Sequence, residues 1–174
     1  MGPMRNGVLL SALACSSLGG CAFSGPGQPG QKVTLTLISA DVPLAVPTDP
    51  SKSANSALGV TSPSGTLLSV QVSVNISGAP VCSLSLALQH PDGTKIPLLQ
   101  VGHVPTTFQC SSHFVALNTT FPNQTPTPGA PDLSALNGKP VQGNWQLIAT
   151  DERTSPDGQQ FVIHAWMLDV TVQE

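Results

Sequence analysis

The sequence predicts an all-β domain built as a sandwich of two antiparallel sheets. Three observations lead to this prediction: short segments alternate between apolar and polar residues, turn residues separate them, and no window repeats with the 3.6-residue period of a helix. Alternation with a period of two describes strands with one buried and one solvated face, which is typical of antiparallel sheets. Seven or more such strands in 174 residues favour a single two-layer domain.

The clearest strands stand near the middle of the chain. Residues 70–76 place four aliphatic side chains on one face, and residues 82–89 repeat the pattern with three inward leucines. The run His90-Pro91-Asp92-Gly93 follows, with proline second and glycine fourth, as in a type I turn. The chain then returns through 94–101, where Pro97 predicts an edge strand because proline cannot donate to a ladder.

Weaker patterns predict the remaining strands and one long connection. Alternate residues from Trp166 to Val172 share one face, so the last strand is expected to bury this tryptophan. A stretch with five prolines is expected to cross between the sheets. The further strands are predicted at 33–38, 108–117, 145–150 and 161–172, and the crossing segment at 118–140.

Composition excludes several classes of function. Only 15 residues are charged and the net charge is −3, so we expect no nucleic-acid partner and no basic patch for anionic lipid. Glycine and proline together supply 33 residues without a Gly-X-Y period or a long repeat, which excludes collagen and solenoids.

The amino terminus has the features of a bacterial lipoprotein signal peptide. Arg5 precedes the apolar run 8–14, which is too short for a permanent membrane helix. The following Leu18-Gly19-Gly20-Cys21 resembles the bacterial lipobox. This resemblance implies that residues 1–20 are removed and that Cys21 is diacylated, which would attach the protein durably to membrane lipid. The alternative is an ordinary secretory peptide, with Cys21 an unmodified residue.

The lipobox resemblance also implies a location and a domain order. Ala22 rather than aspartate after the cysteine favours the outer membrane of the bacterial cell envelope over the inner one. Residues 21–32 are rich in glycine and proline and are expected to form a flexible tether. The folded domain is then predicted at 33–174.

Two cysteines remain in the predicted mature domain. An exported chain meets an oxidising compartment, so we expect Cys82 and Cys110 to form a disulfide. In the chain-entropy model such a bridge contributes about 3–4 kcal/mol. The alternative is a metal site with His113 and another histidine, but a structural zinc site needs four regularly spaced ligands.

Three segments, taken in order, resemble the P domain (Homo B domain) of proprotein convertases and of bacterial secreted peptidases. The paired strands 70–76 and 84–94 match the strands that end in the family's "L-x-S-P-x-G-T". Residues 136–151, with Asn137-Gly138 and Gly143-Asn144-Trp145, match its "N-G-x…G-x-W-x-L-x-V-x-D". Residues 157–170 match its closing "D-x-G-x-L-x-x-W-x-L".

The resemblance implies a jelly-roll-like antiparallel β-sandwich without catalytic machinery of its own. In proteases with a P domain, this domain stabilises the catalytic unit and shapes its calcium and pH behaviour. The family's usual "H-T-x-x-G-D-L" is replaced here by residues 77–84, which removes the carboxylate that a calcium site at that turn would use.

The conspicuous polar residues support few other sites. Asp151 and Asp157 are weak calcium candidates, because turn aspartates more often accept hydrogen bonds from local backbone N–H groups. Trp145 and Trp166 are predicted in the core. His164 is predicted to be either a hydrogen-bonded core histidine or part of a bulge. No nucleophile elbow, phosphate loop or dinucleotide fingerprint is present.

These observations predict a non-catalytic protein-interaction module on the cell envelope, either part of a surface complex or docking a secreted protease in trans. Its contact surface is expected in the loops 102–112 and 118–140. One alternative is an envelope hydrolase with a non-standard site, which clustering of His103, His113 and Asp132 would favour. The other alternative is a structural spacer stabilised by Ca²⁺.

Overall fold

The computed structural model describes residues 30–78, 81–101, 116–122, 131–153 and 159–174. Within these ranges the chain forms strands and two short 3₁₀ helices, and no helix there is long and apolar enough to cross a membrane. The strands are β1 (Lys32–Ile38), β2 (Leu44–Ala45), β3 (Ser53–Val60), β4 (Thr66–Ser77), β5 (Leu84–Gln89), β6 (Lys95–Leu99), β7 (Leu117–Phe121), β8 (Gly143–Asp151) and β9 (Val162–Gln173), and the 3₁₀ helices are η1 (Val81–Ser83) and η2 (Leu133–Leu136).

The strands form two antiparallel sheets. Sheet A has the order β1-β9-β4-β7, with the short β2 also paired to β9, and sheet B has the order β3-β8-β5-β6. The inner faces of the two sheets share one aliphatic core. The predicted all-β, jelly-roll-like sandwich is therefore confirmed.

Two-residue alternation explains the core. In β5 the three leucines are buried and the residues between them are half-buried, and β4 and β9 alternate in the same way over most of their length. Trp145 and Trp166 are both fully buried, as predicted. Such large rings bury much apolar area, so the two tryptophans anchor the two sheets from opposite sides of the core.

A β-bulge interrupts β9 at His164. Asn75 pairs with Ala165 and Ile76 pairs with Ile163, so His164 has no residue opposite it. Because of this extra residue, Ile163 and Trp166 both point inward although they are three positions apart. The bulge predicted for His164 is confirmed. The alternative prediction, a core histidine, is wrong, because the side chain of His164 is exposed.

The turn and the edge strand after β5 also form as predicted. The N–H of Gly93 donates to the carbonyl of His90 at 2.9 Å and closes the turn. Strand β6, which contains Pro97, lies at the edge of sheet B. The predicted strand 82–89 starts two residues late, because Cys82 and Ser83 belong to η1.

Several other boundaries differ from the predictions. Residues 118–121 of the predicted crossing segment belong to β7, where Leu117 and Phe121 point inward around polar neighbours. Of the predicted strand 108–117, only the last two residues are described. Strand β3 was not predicted, since a buried serine and an alanine stand among its inward positions.

The sandwich has two ends, which we call the His90 end and the Asp151 end. The His90 end contains the turn after β5, the start of β8, and the first described residue, Gly30, whose N–H donates to the carbonyl of Glu174. The Asp151 end contains the end of β8 and η1, which are joined by the N–H of Glu152 and the carbonyl of Ser83. The predicted signal peptide, Cys21 and residues 21–29 lie outside the described residues.

Candidate functional site

His90 is the centre of a polar cluster at the His90 end. Its side chain is 2 % exposed, and its ring meets Trp145 edge-on with centroids 4.7 Å apart. Nε2 lies 2.8 Å from the carbonyl of Pro140, to which it donates. Nδ1 lies 3.2 Å from the N–H of Asp92 and 2.9 Å from its Oδ1. A buried imidazole with both nitrogens engaged holds the turn, the core tryptophan and the Pro140 segment together.

Asp92 and Lys139 form an ion pair beside this histidine. The ammonium of Lys139 bonds the carboxylate of Asp92 and also donates to the hydroxyl of Thr94 at 3.0 Å. The N–H of Thr94 donates to the same carboxylate at 2.8 Å. The Lys139 ammonium, and after it Thr94, hold the pKa of Asp92 far below its ordinary value.

The segment that carries Lys139 is fixed to β4 through its backbone. The N–H of Leu67 donates to the carbonyl of Lys139, and the N–H of Gly138 donates to the carbonyl of Leu67, both at 2.8 Å. Gly138 has a φ of +82°, in the region that favours glycine. Two of the three sequence segments that suggested a family, 84–94 and 136–151, thus meet at the His90 end and contact each other there.

Asp151 and Arg153 form a second cluster, at the opposite end. Asp151 is fully buried, and its carboxylate accepts from Nε of Arg153 at 2.9 Å and from Nη2 at 2.6 Å. The N–H of Arg153 also donates to this carboxylate at 3.2 Å. Bidentate pairing of this kind offsets the cost of burying a carboxylate.

Arg153 also contacts the residues that come just before β9. Its Nη2 donates to the carbonyl of Gln159, and its guanidinium lies 5.5 Å from the centroid of the Phe161 ring. One side chain therefore links the end of β8 to the start of β9. Because the guanidinium occupies both oxygens of Asp151, a calcium ion would have to displace it.

The remaining site predictions are only partly covered by the described residues. Cys82 is half-buried in η1, while Cys110, His103, His113 and Asp157 lie outside the described residues. Asp132 caps η2, where its carboxylate accepts from the hydroxyl of Ser134 and from the N–H of Ser134, and these two bonds lower the pKa of Asp132. Where the chain is described, no three metal-binding side chains come together.

Among the described residues, one contact resembles hydrolase chemistry, and it joins Ser77 to His164. The serine hydroxyl lies 2.6 Å from Nε2 of His164, at the bulge of β9. A serine nucleophile also needs a group that orients the imidazole and donors for the oxyanion. No salt bridge joins His164 to a carboxylate among the described residues, and the pair lies on the surface rather than in a cleft.

A shallow cavity opens on the outer face of sheet B. Its volume is about 160 Å³. The next residue after Gln100, which lines the cavity, is Val101, whose side chain is 44 % exposed. Because β6 runs from the His90 turn toward Asp151, Val101 lies at the Asp151 end. The outward side chains of the cavity are Ser85, Ala87, Pro97, Gln100, Ile148 and Thr150.

Sequence reasoning missed the contacts that assemble these clusters. The turn explained Asp92 but not its pairing with Lys139, which is 47 positions away. The burial of His90 depends equally on Pro140, 50 positions away. The short spacing of Asp151 and Arg153 is the one signal that could have been used.

Comparison with solved structures finds the same fold in a bacterial protease. A serine protease of Aeromonas sobria in complex with its chaperone is similar with a TM-score of 0.58 and 16% identity, covering 87% of this chain and 28% of that chain. The serine protease solved without the chaperone gives a TM-score of 0.56 and 16% identity, covering 86% and 28% of the two chains. The present chain thus spans little more than a quarter of the solved protease.

Comparison with curated proteins finds no match. A family model does match, over residues 67–170, which include β4 without its first residue, β5 to β8 and most of β9. Its description is the proprotein convertase P-domain. The match covers the His90 turn, the Lys139 segment and Trp145, whose mutual contacts build the His90 end. The chain belongs to the proprotein convertase P-domain family.

Proposed function

We propose that this P domain is a non-catalytic interaction module that is anchored to the bacterial envelope through acylated Cys21 and binds an exported protein. Family membership supports the interaction role, since P domains accompany proteases and do not carry their catalytic residues. The lipobox-like Leu18-Gly19-Gly20-Cys21 supports the anchor. Both clusters of the described fold bind their own chain, which supports a structural rather than a catalytic use of their charges.

The geometry supports the Asp151 end as the contact surface. The first described residue, Gly30, lies at the His90 end, and Cys21 precedes it by nine positions, so this end is nearest to the proposed lipid along the chain. Strand β8, with nine residues, spans about 30 Å from one end to the other at 3.4 Å per residue. The exposed Val101 beside the cavity of sheet B, at the end away from the anchor, is the observation that carries the proposal.

The partner that we propose is an exported protease. The similar solved chains are those of a serine protease, of which one is bound to a chaperone. The domain here would reach its protease in trans from the envelope surface. An apolar cavity rim with serine, threonine and glutamine around it is the composition of a modest protein–protein contact.

We also propose the disulfide between Cys82 and Cys110. It is supported by the bonded state of Cys82 in the structure and by the expected export of the chain. Cys82 lies in η1, two residues before the start of β5, so the bridge would tie Cys110 to the Asp151 end. A non-reducing peptide map that joins the Cys82 and Cys110 peptides is the expected result.

The anchor is tested by cell fractionation. The wild-type chain should be recovered with the outer membrane and labelled by fatty acid, and Cys21→Ser should be neither labelled nor retained. Cys15→Ser is the matched control, because it removes a cysteine of the leader and should leave both properties unchanged. Labelling that survives Cys21→Ser would contradict the proposal.

The partner is tested by recovering the acylated protein from its own envelope and identifying what accompanies it by mass spectrometry. Stoichiometric recovery of an exported protease is expected from wild type and from Asn137→Asp, which adds a charge at the His90 end. Val101→Asp adds the same charge at the Asp151 end and should lose the protease. Equal loss from both variants would place the contact elsewhere.

A further inference from the structure

The edges of the two sheets are protected unequally. Strand edges expose unpaired N–H and C=O groups, and proteins block them with proline, charge, bulges or side-chain caps. In sheet B, Pro97 interrupts the β6 edge, and the N–H of Ala57 on the β3 edge is capped by the carboxylate of Asp41 at 2.7 Å. In sheet A, β7 is only five residues long and Pro122 follows it.

Among the described residues, strand β1, the remaining edge, has no proline, bulge or side-chain cap over its seven residues. Its register with β9 is unbroken from Lys32 to Ile38, without a bulge or a proline. Its only charge stands at the first position, Lys32. Ile38 is 63 % exposed, the highest exposure among the large hydrophobic side chains of the described residues.

The alternating hydrogen bonds between β1 and β9 show which N–H and C=O groups of β1 point to the open edge, away from β9. The N–H of Ser39 donates to the carbonyl of Trp166, so the odd-numbered residues of β1 are the ones that bond to β9. The even-numbered residues, from Lys32 to Ile38, therefore turn their N–H and C=O groups away from β9. The inward side chains Val33, Leu35 and Leu37 pack on the core but remain only half-buried.

We propose that β1 pairs with β1 of a second copy of this chain, in antiparallel orientation about a two-fold axis at Leu35. This interface is independent of the contact proposed at the Asp151 end. The sequence of β1 is self-complementary in this register: Leu35 faces its own copy, Val33 faces Leu37, and Thr34 faces Thr36. The half-buried aliphatic row of each copy then continues into the other, and the open groups of the even-numbered residues are paired.

The positions of two charged residues, Lys32 and Asp169, favour a second copy of this chain as the partner of β1 in the same register. Lys32 is exposed at the start of β1, and Asp169 lies on the outer face of β9 beside Thr36, whose hydroxyl donates to it. Across the two-fold axis, Lys32 of one copy would lie about 12 Å from Asp169 of the other between Cα atoms, from a strand spacing of about 4.8 Å and a rise of about 3.4 Å. An extended lysine and an aspartate can span this distance, and symmetry makes the contact twice.

The first test measures self-association by sedimentation velocity, with Cys21→Ser in the full chain to keep it free of lipid. Thr34→Pro removes an N–H that points to the open edge and none that bonds β9, so it should weaken dimerisation about tenfold or more. Thr34→Ala is the matched control, because it removes the same hydroxyl and keeps the N–H. Both variants should keep the circular dichroism of the parent.

The second test fixes the register by cross-linking. Leu35→Cys should form a disulfide-linked dimer under mild oxidation, because the two copies of this position face each other across the axis. Val33→Cys should not, because its two copies would lie about 14 Å apart along the strands. Lys32→Glu should weaken dimerisation, and Lys32→Glu with Asp169→Lys should restore it. A chain that stays monomeric at high concentration, or that cross-links equally from positions 33 and 35, overturns the proposal.

Discussion

The indole nitrogen of Trp166 donates a hydrogen bond to the hydroxyl of Ser56 across the core, at 2.6 Å. The two residues belong to different sheets, since Trp166 lies in β9 and Ser56 in β3. The hydroxyl of Ser56 donates in turn to the carboxylate of Asp41, which is exposed. A buried N–H is thus connected to the surface by one serine.

Ser56→Ala should destabilise the domain by about 1–3 kcal/mol, because it leaves the buried N–H of Trp166 without an acceptor. The measurement is urea unfolding followed by tryptophan fluorescence. Ser53→Ala is the control, since its hydroxyl bonds Thr150 at 2.7 Å in a half-buried position and water can replace it. Adding Trp166→Phe to Ser56→Ala should cost less than the sum of the two single changes. Strict additivity would show that the bond across the core contributes nothing.

His90→Ala should lower the free energy of unfolding by about 2–4 kcal/mol, because it removes a buried ring and its bond to Pro140. His164→Ala changes an exposed histidine and should cost no more than about 0.5–1 kcal/mol. Comparing the two by chemical unfolding separates a core imidazole from a surface one. Similar losses would contradict the assigned role of His90.

Asp92→Asn should reduce stability in a pH-dependent way. The folded pKa of Asp92 is lowered, chiefly by Lys139, from a reference value of 3.8. A carboxyl group of this kind stabilises the fold above its unfolded pKa, and the effect is lost as the pH falls through its folded pKa. The difference in Tm between wild type and Asp92→Asn should therefore be constant near neutral pH and shrink below about pH 4. A difference in Tm that grows as the pH falls would contradict this prediction.

Arg153→Met should destabilise the domain by about 3–5 kcal/mol, since it leaves the fully buried carboxylate of Asp151 without its cation. The double change Asp151→Leu with Arg153→Met should recover most of this loss. Lys52→Met is the control, because Lys52 and Asp49 form an exposed pair whose loss should hardly change stability. Unfolding curves of the four proteins give the comparison.

Addition of Ca²⁺ should leave the Tm of the wild-type chain unchanged, because Arg153 occupies both oxygens of Asp151. A ligand that binds only the native state must raise Tm. Mg²⁺ at the same concentration controls for ionic strength. A rise with Ca²⁺ alone would favour the calcium-stabilised spacer and give Asp157 a role.

The regular part of this fold could be predicted from the sequence because β5 alternates throughout and β4 and β9 alternate over most of their length. In β5 the leucines alone predict which face is buried, and Pro97 alone predicts that β6 lies at an edge. Strand β3 could not be predicted in this way. Its inward positions include Ser56, a polar residue whose hydroxyl accepts a hydrogen bond from a tryptophan of the other sheet.

The contacts that build the two ends were less accessible to sequence reasoning. His90 is buried because Trp145 and Pro140 come to it from distant positions, and nothing local to the turn indicates this. Lys139 resembles any solvated lysine until the fold places it beside Asp92. Pairing over long sequence separation depends on topology, which periodicity alone does not determine.

The extra residue at His164 separates the first two residues of β9, 162–163, from the remaining part, 165–173, and the side chains of the two parts are out of phase. From Trp166 onward the even positions face the interior, whereas before the bulge the interior side chains are Phe161 and Ile163. Deleting this one histidine would put both parts of the strand in the same phase. One part would then turn its apolar side chains to solvent and its polar side chains to the core. The strand therefore accepts changes of identity at position 164 far more readily than a change of length.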